Sequence, residues 1–238
     1  MARRFVTDDY QITDNIIEIY GEEAKHIEVL RHKINDIIEV NNRNCKILNI
    51  EKNKVVCEIF GEEIKRGLPN IDITLYQALL KSDKMEYVIQ KSVELGISKI
   101  VPFESKNIVV KLKDNEKNKK LERWNKISKE ATKQCGRTDE VDVSNILSFK
   151  EMINDLDNYT SVILAYENEE QPLKEVLKQL NHEKLAIIIG AEGGFDKQEV
   201  EKILGNKKAV SVSLGTRILR AETASLNLIS ILGYEFDI

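Results

Sequence analysis

Apolar residues follow two different patterns along the chain. Up to about residue 70, short segments alternate apolar and polar residues, which is typical of strands with one buried face. The predicted strands are residues 3–6, 16–20, 37–40, 43–50 and 54–60, with one helical stretch at residues 22–30. Asn41, Asn42 and Asn53 fit hairpin turns, because asparagine tolerates positive φ. The first part of the chain is therefore expected to form a small β-barrel.

The pattern changes at a short segment that carries Gly67 and Pro69, two residues that interrupt regular structure. We place a domain boundary there, with domains at residues 1–70 and 71–238. Beyond it, the predicted strands are residues 71–78, 99–102, 161–166, 185–189 and 209–213. Helical segments separate them, and a last helix is expected at residues 221–232. Alternating strands and helices predict an α/β domain with a mostly parallel sheet.

Two loops that follow predicted strands carry residues suited to ligand binding. The glycine loop (residues 190–196) holds Gly190, Gly193 and Gly194, which let backbone amides approach a ligand, and the acidic Glu192. It matches neither GxGxxG nor a P-loop, so phosphate binding is not indicated. A tight turn between strand and helix is the alternative reading of the same residues.

The arginine loop (residues 213–220) contains Arg217 and Arg220 and leads to Glu222 and Thr223 at the start of the last helix. Helix N-termini and arginines favour negative charge, so this loop suits an anionic substrate. Because both loops follow strands of one parallel sheet, we expect them to share a pocket.

Charge is distributed unevenly. The formal net charge is −4, yet residues 106–137 hold nine lysines and two arginines against four acidic residues, a net charge of +7. Such a segment fits a nucleic-acid contact surface or simply a solvated helix. We expect a helix at residues 122–137 with Trp124 in the core, and a polar loop at residues 111–120.

Other features exclude whole classes of function. No apolar run reaches the ~20 residues of a membrane helix, and the first residues lack the apolar centre of a signal peptide, so we expect a cytoplasmic protein without membrane contact. The three cysteines and three histidines lack metal-ligand spacing, so no metal site is expected. No Ser/His/Asp or Cys/His unit suggests covalent hydrolysis.

Several segments resemble the ribosomal RNA small-subunit methyltransferase E family. They are residues 77–86 (QALLKSDKME), 94–96 (ELG), 123–124 (RW), 134–137 (QCGR), 189–194 (IGAEGG) and 214–224 (LGTRILRAETA), with RRF at 3–5, VLRHK at 29–33 and DIIEV at 36–40 in the first domain. The resemblance spans essentially the whole chain. Two positions depart from the family pattern: Ala191 stands where proline is usual, and Asn35 where glycine is usual.

The resemblance implies a SPOUT-type catalytic domain with a C-terminal trefoil knot, preceded by a PUA-like β-barrel that binds RNA. It implies a homodimer that uses S-adenosyl-L-methionine to methylate N3 of one uridine in the decoding region of 16S rRNA, on the small ribosomal subunit. Three alternatives remain: a SPOUT enzyme acting on ribose 2′-OH or on transfer RNA, a non-catalytic RNA-binding assembly factor, and a doubly wound nucleotide-binding protein.

The resemblance and the chemistry together assign roles to individual residues. Stabilising a deprotonated uracil requires cations, so Arg220 is the first catalytic candidate and Arg137 the second. The general base would be Glu222 or water. The expected cofactor-binding residues are Leu164, Gly190, Glu192, Gly193, Gly194, Leu214, Gly215, Ile218, Leu219, Ala221 and Thr223. The expected RNA contacts are Arg3, Arg4, Arg31, Lys33, Lys81, Arg123, Lys126, Lys133 and Gln134.

Overall fold

The computed structural model describes residues 2–236, apart from the side chains of residues 82 and 114. The chain divides into two compact units, of which the first ends at Arg66 and the second begins at Gly67. The division falls within the segment that carries Gly67 and Pro69. Each unit is described by itself.

The first unit is a six-stranded sheet with one helix. Its elements are β1 (Arg3–Phe5), β2 (Tyr10–Thr13), β3 (Ile16–Tyr20), α1 (Gly21–Val29), β4 (Ile37–Val40), β5 (Arg43–Glu51) and β6 (Lys54–Phe60). The strand order is β1-β4-β5-β6-β3-β2, antiparallel except between β1 and β4. Because the order ends at β1 and β2, a closed barrel stays a prediction.

Alternating side chains of these strands form the core of the first unit. Ile17, Ile19 and Val55 are buried there with Ile27 of α1. Asn41, Asn42 and Asn53 have positive φ, which confirms the predicted turns. Asn35 also has a φ of 74°, so asparagine adopts here a left-handed conformation that glycine adopts readily.

The second unit alternates strands and helices. Its elements are β7 (Asp72–Ala78), α2 (Ser82–Glu94), β8 (Lys99–Glu104), α3 (Asp114–Cys135), β9 (Asp142–Val143), β10 (Leu147–Ser148), α4 (Phe149–Asp155), a 3-10 turn (Leu156–Asn158), β11 (Ser161–Ala165), α5 (Leu173–Leu177), β12 (Lys184–Ile189), α6 (Lys197–Leu204), β13 (Ala209–Val212) and α7 (Ala221–Glu235).

All strands of this sheet are parallel, which confirms the predicted α/β architecture. The order is β10-β8-β7-β12-β11-β13, with the short β9 also paired to β8. Strands β7, β11 and β12 consist mainly of buried residues, as strands covered on both faces require. The carboxyl ends of the neighbouring strands β11, β12 and β13 therefore lie along one edge.

The prediction of a loop at residues 111–120 was wrong, because α3 begins at Asp114. Trp124 anchors this helix in the core, with 2% of its surface exposed, as expected. One ion pair and one hydrogen bond stabilise the polar first turns of α3. Lys117 lies 2.9 Å from Glu104, and the Glu116 carboxylate accepts the Lys113 N–H at 2.9 Å. Among residues 2–236, no helix has both the length and the apolar composition needed to cross a bilayer.

Candidate functional site

A cavity of about 570 Å³ lies at the carboxyl ends of β11, β12 and β13. Its volume is within the range of small-molecule sites. The glycine loop and the arginine loop both line it, as the sequence predicts for two loops on one sheet edge. The lining consists of residues 165–167, 189–195 and 213–221, together with Lys84 and Ala224.

A side chain on the glycine loop would be crowded or strained at two positions. A Cβ on Gly193 would lie 2.9 Å from the backbone oxygen of Asn107, and one on Gly194 would lie 2.5 Å from Oε1 of Glu167. Gly194 also has a φ of 65°, and its N–H donates to the Ala191 carbonyl at 3.0 Å. The loop therefore turns tightly and presents backbone to the cavity.

The far end of the glycine loop is held by the start of α6. The Asp196 carboxylate accepts the Gln198 N–H at 3.1 Å, and the Glu199 carboxylate accepts the Asp196 N–H at 3.0 Å, so the two side chains form a capping box. Lys106 donates to Asp196 at 2.7 Å, and this hydrogen bond holds the pKa of that carboxyl below its usual value.

A buried polar network ties the glycine loop and α7 to β7. Gln77, at the carboxyl end of β7, donates to the Gly190 carbonyl at 3.2 Å. Its side-chain oxygen accepts the hydroxyl hydrogen bond of Ser225, which belongs to α7. Because Gln77 and Ser225 are fully buried, these hydrogen bonds are shielded from water and fix the glycine loop relative to α7.

A second connection between the glycine loop and α7 is ionic and passes through Lys84 of α2. Its ammonium lies 3.7 Å from Oε1 of Glu192 and 3.2 Å from Oε1 of Glu222. Glu192 also accepts the backbone N–H of Lys81 at 3.3 Å. Lys84 lies in the QALLKSDKME segment on which the family resemblance rests, but its local pattern does not distinguish it from the other lysines of that segment as a site residue.

The arginine loop places two cations at the cavity. Arg217 and Arg220 line it and are exposed. Within residues 2–236, neither guanidinium has a hydrogen-bond or ion-pair partner. Since arginine presents a planar set of donors, both are available to an anionic or carbonyl-bearing ligand.

Nine of the expected cofactor-binding residues line the cavity: Gly190, Glu192, Gly193, Gly194, Leu214, Gly215, Ile218, Leu219 and Ala221. Leu164 does not line it. Its side chain is fully buried in the core, and its backbone pairs with both β12 and β13. The next three residues, 165–167, leave the sheet and line the cavity instead. Thr223 is exposed in the first turn of α7 and does not line the cavity either.

The second catalytic candidate, Arg137, lies away from the cavity. Its guanidinium donates to the carbonyls of Val93 and Ile97 at 3.0 and 2.9 Å and forms two hydrogen bonds with Asp139. The residue is 3% exposed and does not line the cavity. A buried arginine that satisfies carbonyls at the end of α2 has a structural role. Glu222 does not line the cavity, but it reaches the site through Lys84.

The expected RNA contacts are mostly accessible. Those in the second unit are exposed, namely Lys81, Arg123, Lys126, Lys133 and Gln134, and Arg123 pairs with Glu86 at 2.7 Å. In the first unit, Arg3, Arg31 and Lys33 are exposed. Arg4 differs, because Glu39 and Asn42 hold its guanidinium at 3.5 and 3.3 Å and leave 18% of the side chain exposed.

Metal-ligating side chains do not cluster in the part of the chain that the structure describes: no group of three or more His, Cys, Asp or Glu there could hold an ion. The three cysteines are free. The charged side chains at the cavity are those of Glu167, Glu192, Lys84, Arg217 and Arg220, and apolar side chains complete its lining.

Comparisons with known proteins agree with this architecture. A family model described as an RNA methyltransferase domain matches residues 67–233. The chain is 34% identical over 233 residues to a ribosomal RNA small subunit methyltransferase E of Bacillus subtilis, covering 92% of this chain and 90% of that protein.

Two solved structures share the fold over nearly the whole chain. One is a ribosomal RNA small subunit methyltransferase E from Neisseria gonorrhoeae bound to S-adenosyl methionine, with 26% identity, a TM-score of 0.82 and coverage of 99% of this chain and 98% of that one. The other is a putative methyltransferase from Legionella pneumophila in complex with the same cofactor, with 26% identity, a TM-score of 0.79 and the same coverage.

Proposed function

Because the chain belongs to the ribosomal RNA small subunit methyltransferase E family, we propose that it methylates N3 of one uridine in the decoding region of 16S rRNA with S-adenosylmethionine as methyl donor. The observation that carries the proposal is the cavity formed by the glycine and arginine loops at the edge of the parallel sheet. Two structural relatives of the same fold contain this cofactor.

The residues around the cavity fit such a ligand. The glycine loop offers backbone groups at close approach, since side chains at Gly193 and Gly194 would meet Asn107 and Glu167. Oε2 of Glu192 is buried and has no hydrogen-bond partner among the described residues. A buried carboxylate oxygen without a donor is unfavourable, so a hydroxyl or amine of the cofactor would satisfy it.

S-adenosylmethionine supplies an electrophilic methyl group on a sulfonium. The protein has to orient the uracil in line with that group and favour loss of the N3 proton. Negative charge then develops on the two uracil carbonyl oxygens. Arg220 lies at the cavity with a guanidinium free of protein partners, and we assign it to stabilise this charge.

The N3 proton passes to water in this proposal. Glu222 is the alternative base, but its carboxylate is paired with Lys84 at 3.2 Å and does not line the cavity. We therefore assign Glu222 to holding the loop structure.

RNA binding and assembly complete the proposal. We infer that residues 1–70 form a PUA-like RNA-binding domain and residues 71–238 a SPOUT domain with a trefoil knot, acting as a homodimer on the small ribosomal subunit in the cytoplasm. Family membership supports these inferences, and the exposed cations of α3 provide a surface for phosphate contacts.

Incubation with isotope-labelled S-adenosylmethionine and unmodified small ribosomal subunits, followed by mass spectrometry of the digested rRNA, tests the proposal. We expect labelled 3-methyluridine. A different labelled nucleoside would retain the methyltransferase and refute the proposed target atom. Cofactor binding without label would reject this substrate, and absence of both would favour a non-catalytic RNA-binding protein.

A further inference from the structure

Lys84 occupies a position that connects two segments far apart in sequence. It lies in the first turns of α2, whereas Glu192 belongs to the glycine loop and Glu222 to the first turn of α7 directly after the arginine loop. Among the ion pairs formed by residues 2–236, those that join the two segments pass through this one ammonium.

The three side chains are largely removed from water. Lys84, Glu192 and Glu222 expose 25%, 19% and 16% of their side chains. Each carboxylate uses Oε1 toward Lys84, and Oε2 of each is buried without a partner among the described residues. Two partly buried carboxylates at one site repel each other, so the ammonium between them determines whether this arrangement is stable.

The N-terminus of α2 also stabilises the Glu192 carboxylate. The Lys81 N–H at the N-terminus of the helix donates to the same Oε1 atom that faces Lys84. Helix N-termini favour negative charge, so Glu192 is held by both backbone and ammonium. Glu222 receives only the Lys84 interaction from α2, and the position of the residues after the arginine loop therefore depends more strongly on this lysine.

We propose that Lys84 is a positioning residue that holds the glycine loop and the start of α7 together, through Glu192 and Glu222, in the conformation that binds the cofactor. The inference deepens the proposed function and rests on it. Preorganising both walls of a cavity improves affinity, because the ligand then does not have to order them. Lys84 itself donates no proton and forms no covalent bond in this role.

The test compares three single variants of the full chain. Lys84→Met removes the charge and keeps the stem, Lys84→Arg keeps the charge, and Lys91→Met is the matched control. Lys91 lies on the same helix with a similarly exposed side chain and pairs with Glu94 at 2.7 Å, but it does not line the cavity. The readouts are hydrogen exchange of residues 190–196 and 213–222 without ligand, and calorimetric titration with S-adenosylmethionine.

We expect Lys84→Met to raise the hydrogen-exchange rate in both segments and to weaken cofactor binding roughly tenfold. An effect of this size is expected because the ion pairs of Lys84 with Glu192 and Glu222 are neither fully buried nor fully exposed. Lys84→Arg should stay within about threefold of the wild type, and Lys91→Met should not differ from it. Unchanged exchange in both segments together with unchanged affinity in Lys84→Met would overturn the inference.

Two further variants keep the test decisive if Lys84→Met does not fold. Glu192→Gln and Glu222→Gln each remove one charged partner of Lys84 while keeping Lys84 and the shape of the side chain, and each should raise the hydrogen-exchange rate of its own segment. Unchanged exchange in both glutamine variants would overturn the inference. If the wild type bound no cofactor, the proposed function would fail, whereas the exchange data would still report on the coupling.

Discussion

Arg220 immediately precedes α7 and adopts an extended backbone conformation, with φ −66° and ψ 153°. This conformation directs the chain out of the arginine loop and into the helix. No side chain among the described residues pairs with the Arg220 guanidinium. At the scale of single residues, the cavity therefore has charged groups of both kinds: carboxylates already paired with a lysine and arginines that are free.

Replacing Arg220 tests the assigned role. We expect Arg220→Ala to lower kcat about 100-fold, because one preorganised donor to a developing anion has about this effect. Cofactor affinity should change less than about twofold if the side chain acts only on the uracil. Single-turnover methylation and calorimetry measure the two quantities. Arg220→Lys should fall between alanine and wild type, since lysine keeps the charge without the planar set of donors. Wild-type kcat in the alanine variant would remove Arg220 from the mechanism.

The three cysteines differ in reactivity for a simple physical reason. Burial raises the pKa of the Cys45 thiol to about 11 and that of Cys57 to about 12, whereas Cys135 is exposed. Only the thiolate reacts with disulfide reagents. We expect one thiol per chain to react rapidly at pH 8 in the native protein and three in denaturant. Rapid reaction of two or three native thiols would show that the core of the first unit opens readily.

At the scale of elements, short contacts determine at which glycine of the glycine loop a side chain would disturb the structure. The glycine loop packs against Asn107, whose side-chain amide donates to the Gly193 carbonyl at 3.2 Å. A new methyl group at position 193 would have to displace a backbone oxygen, which cannot rotate away. The conformation of the loop is therefore set by close packing of backbone against backbone.

This packing predicts the effect of single methyl groups. Gly193→Ala should weaken S-adenosylmethionine binding by about tenfold or more, because the loop has to shift. Gly205→Ala is the control. It lies at the end of α6 with φ −64°, and its new Cβ would be 3.2 Å from the Lys202 carbonyl oxygen. Calorimetry on both variants compares the affinities. Equal affinities would show that the glycine loop tolerates a side chain and that its glycines are not required for binding.

The start of α4 is stabilised by a hydroxyl cap. The Ser148 hydroxyl accepts the Glu151 N–H at 3.3 Å and donates to its carboxylate at 2.6 Å. Ser148→Ala should lower the free energy of unfolding by about 1 kcal/mol, since an orphan helix amide loses its acceptor. Urea unfolding followed by fluorescence of Trp124, the single tryptophan, reports on the second unit. Ser144→Ala, which removes a long exposed hydrogen bond to Asn145, should have little effect. Equal losses of unfolding free energy in Ser148→Ala and Ser144→Ala would refute the assignment of Ser148 as the helix cap.

At the scale of the whole molecule, the basic segment of α3 is the feature to test against RNA. Lys126→Glu combined with Lys133→Glu should reduce affinity for the small subunit and lower the slope of log K against log salt by about 2, if each lysine contacts one phosphate. Lys174→Glu with Lys178→Glu, at exposed positions on and just after α5, changes the net charge by the same amount. Equal effects of the two pairs would indicate that only total charge matters.

Local pattern predicted most elements because burial on both faces leaves continuous apolar segments, as in β11 and β12. The short strands β2, β9 and β10 were missed, since two to four residues carry too little pattern. The start of α3 was also missed because lysine-rich composition resembles a loop until ion pairs such as Lys117 with Glu104 are known.

The sequence by itself determined the α/β alternation, the two ligand loops and their shared edge, because parallel strands necessarily bring their carboxyl ends together. Only the tertiary structure decided which charges act at that edge. Arg137 lies in a recognisable segment, yet it is buried against the carbonyls of Val93 and Ile97. Lys84 also lies in such a segment, yet only the folded chain shows that it meets both Glu192 and Glu222. Side-chain partners distant in sequence depend on how helices pack, and periodicity contains no information about that packing.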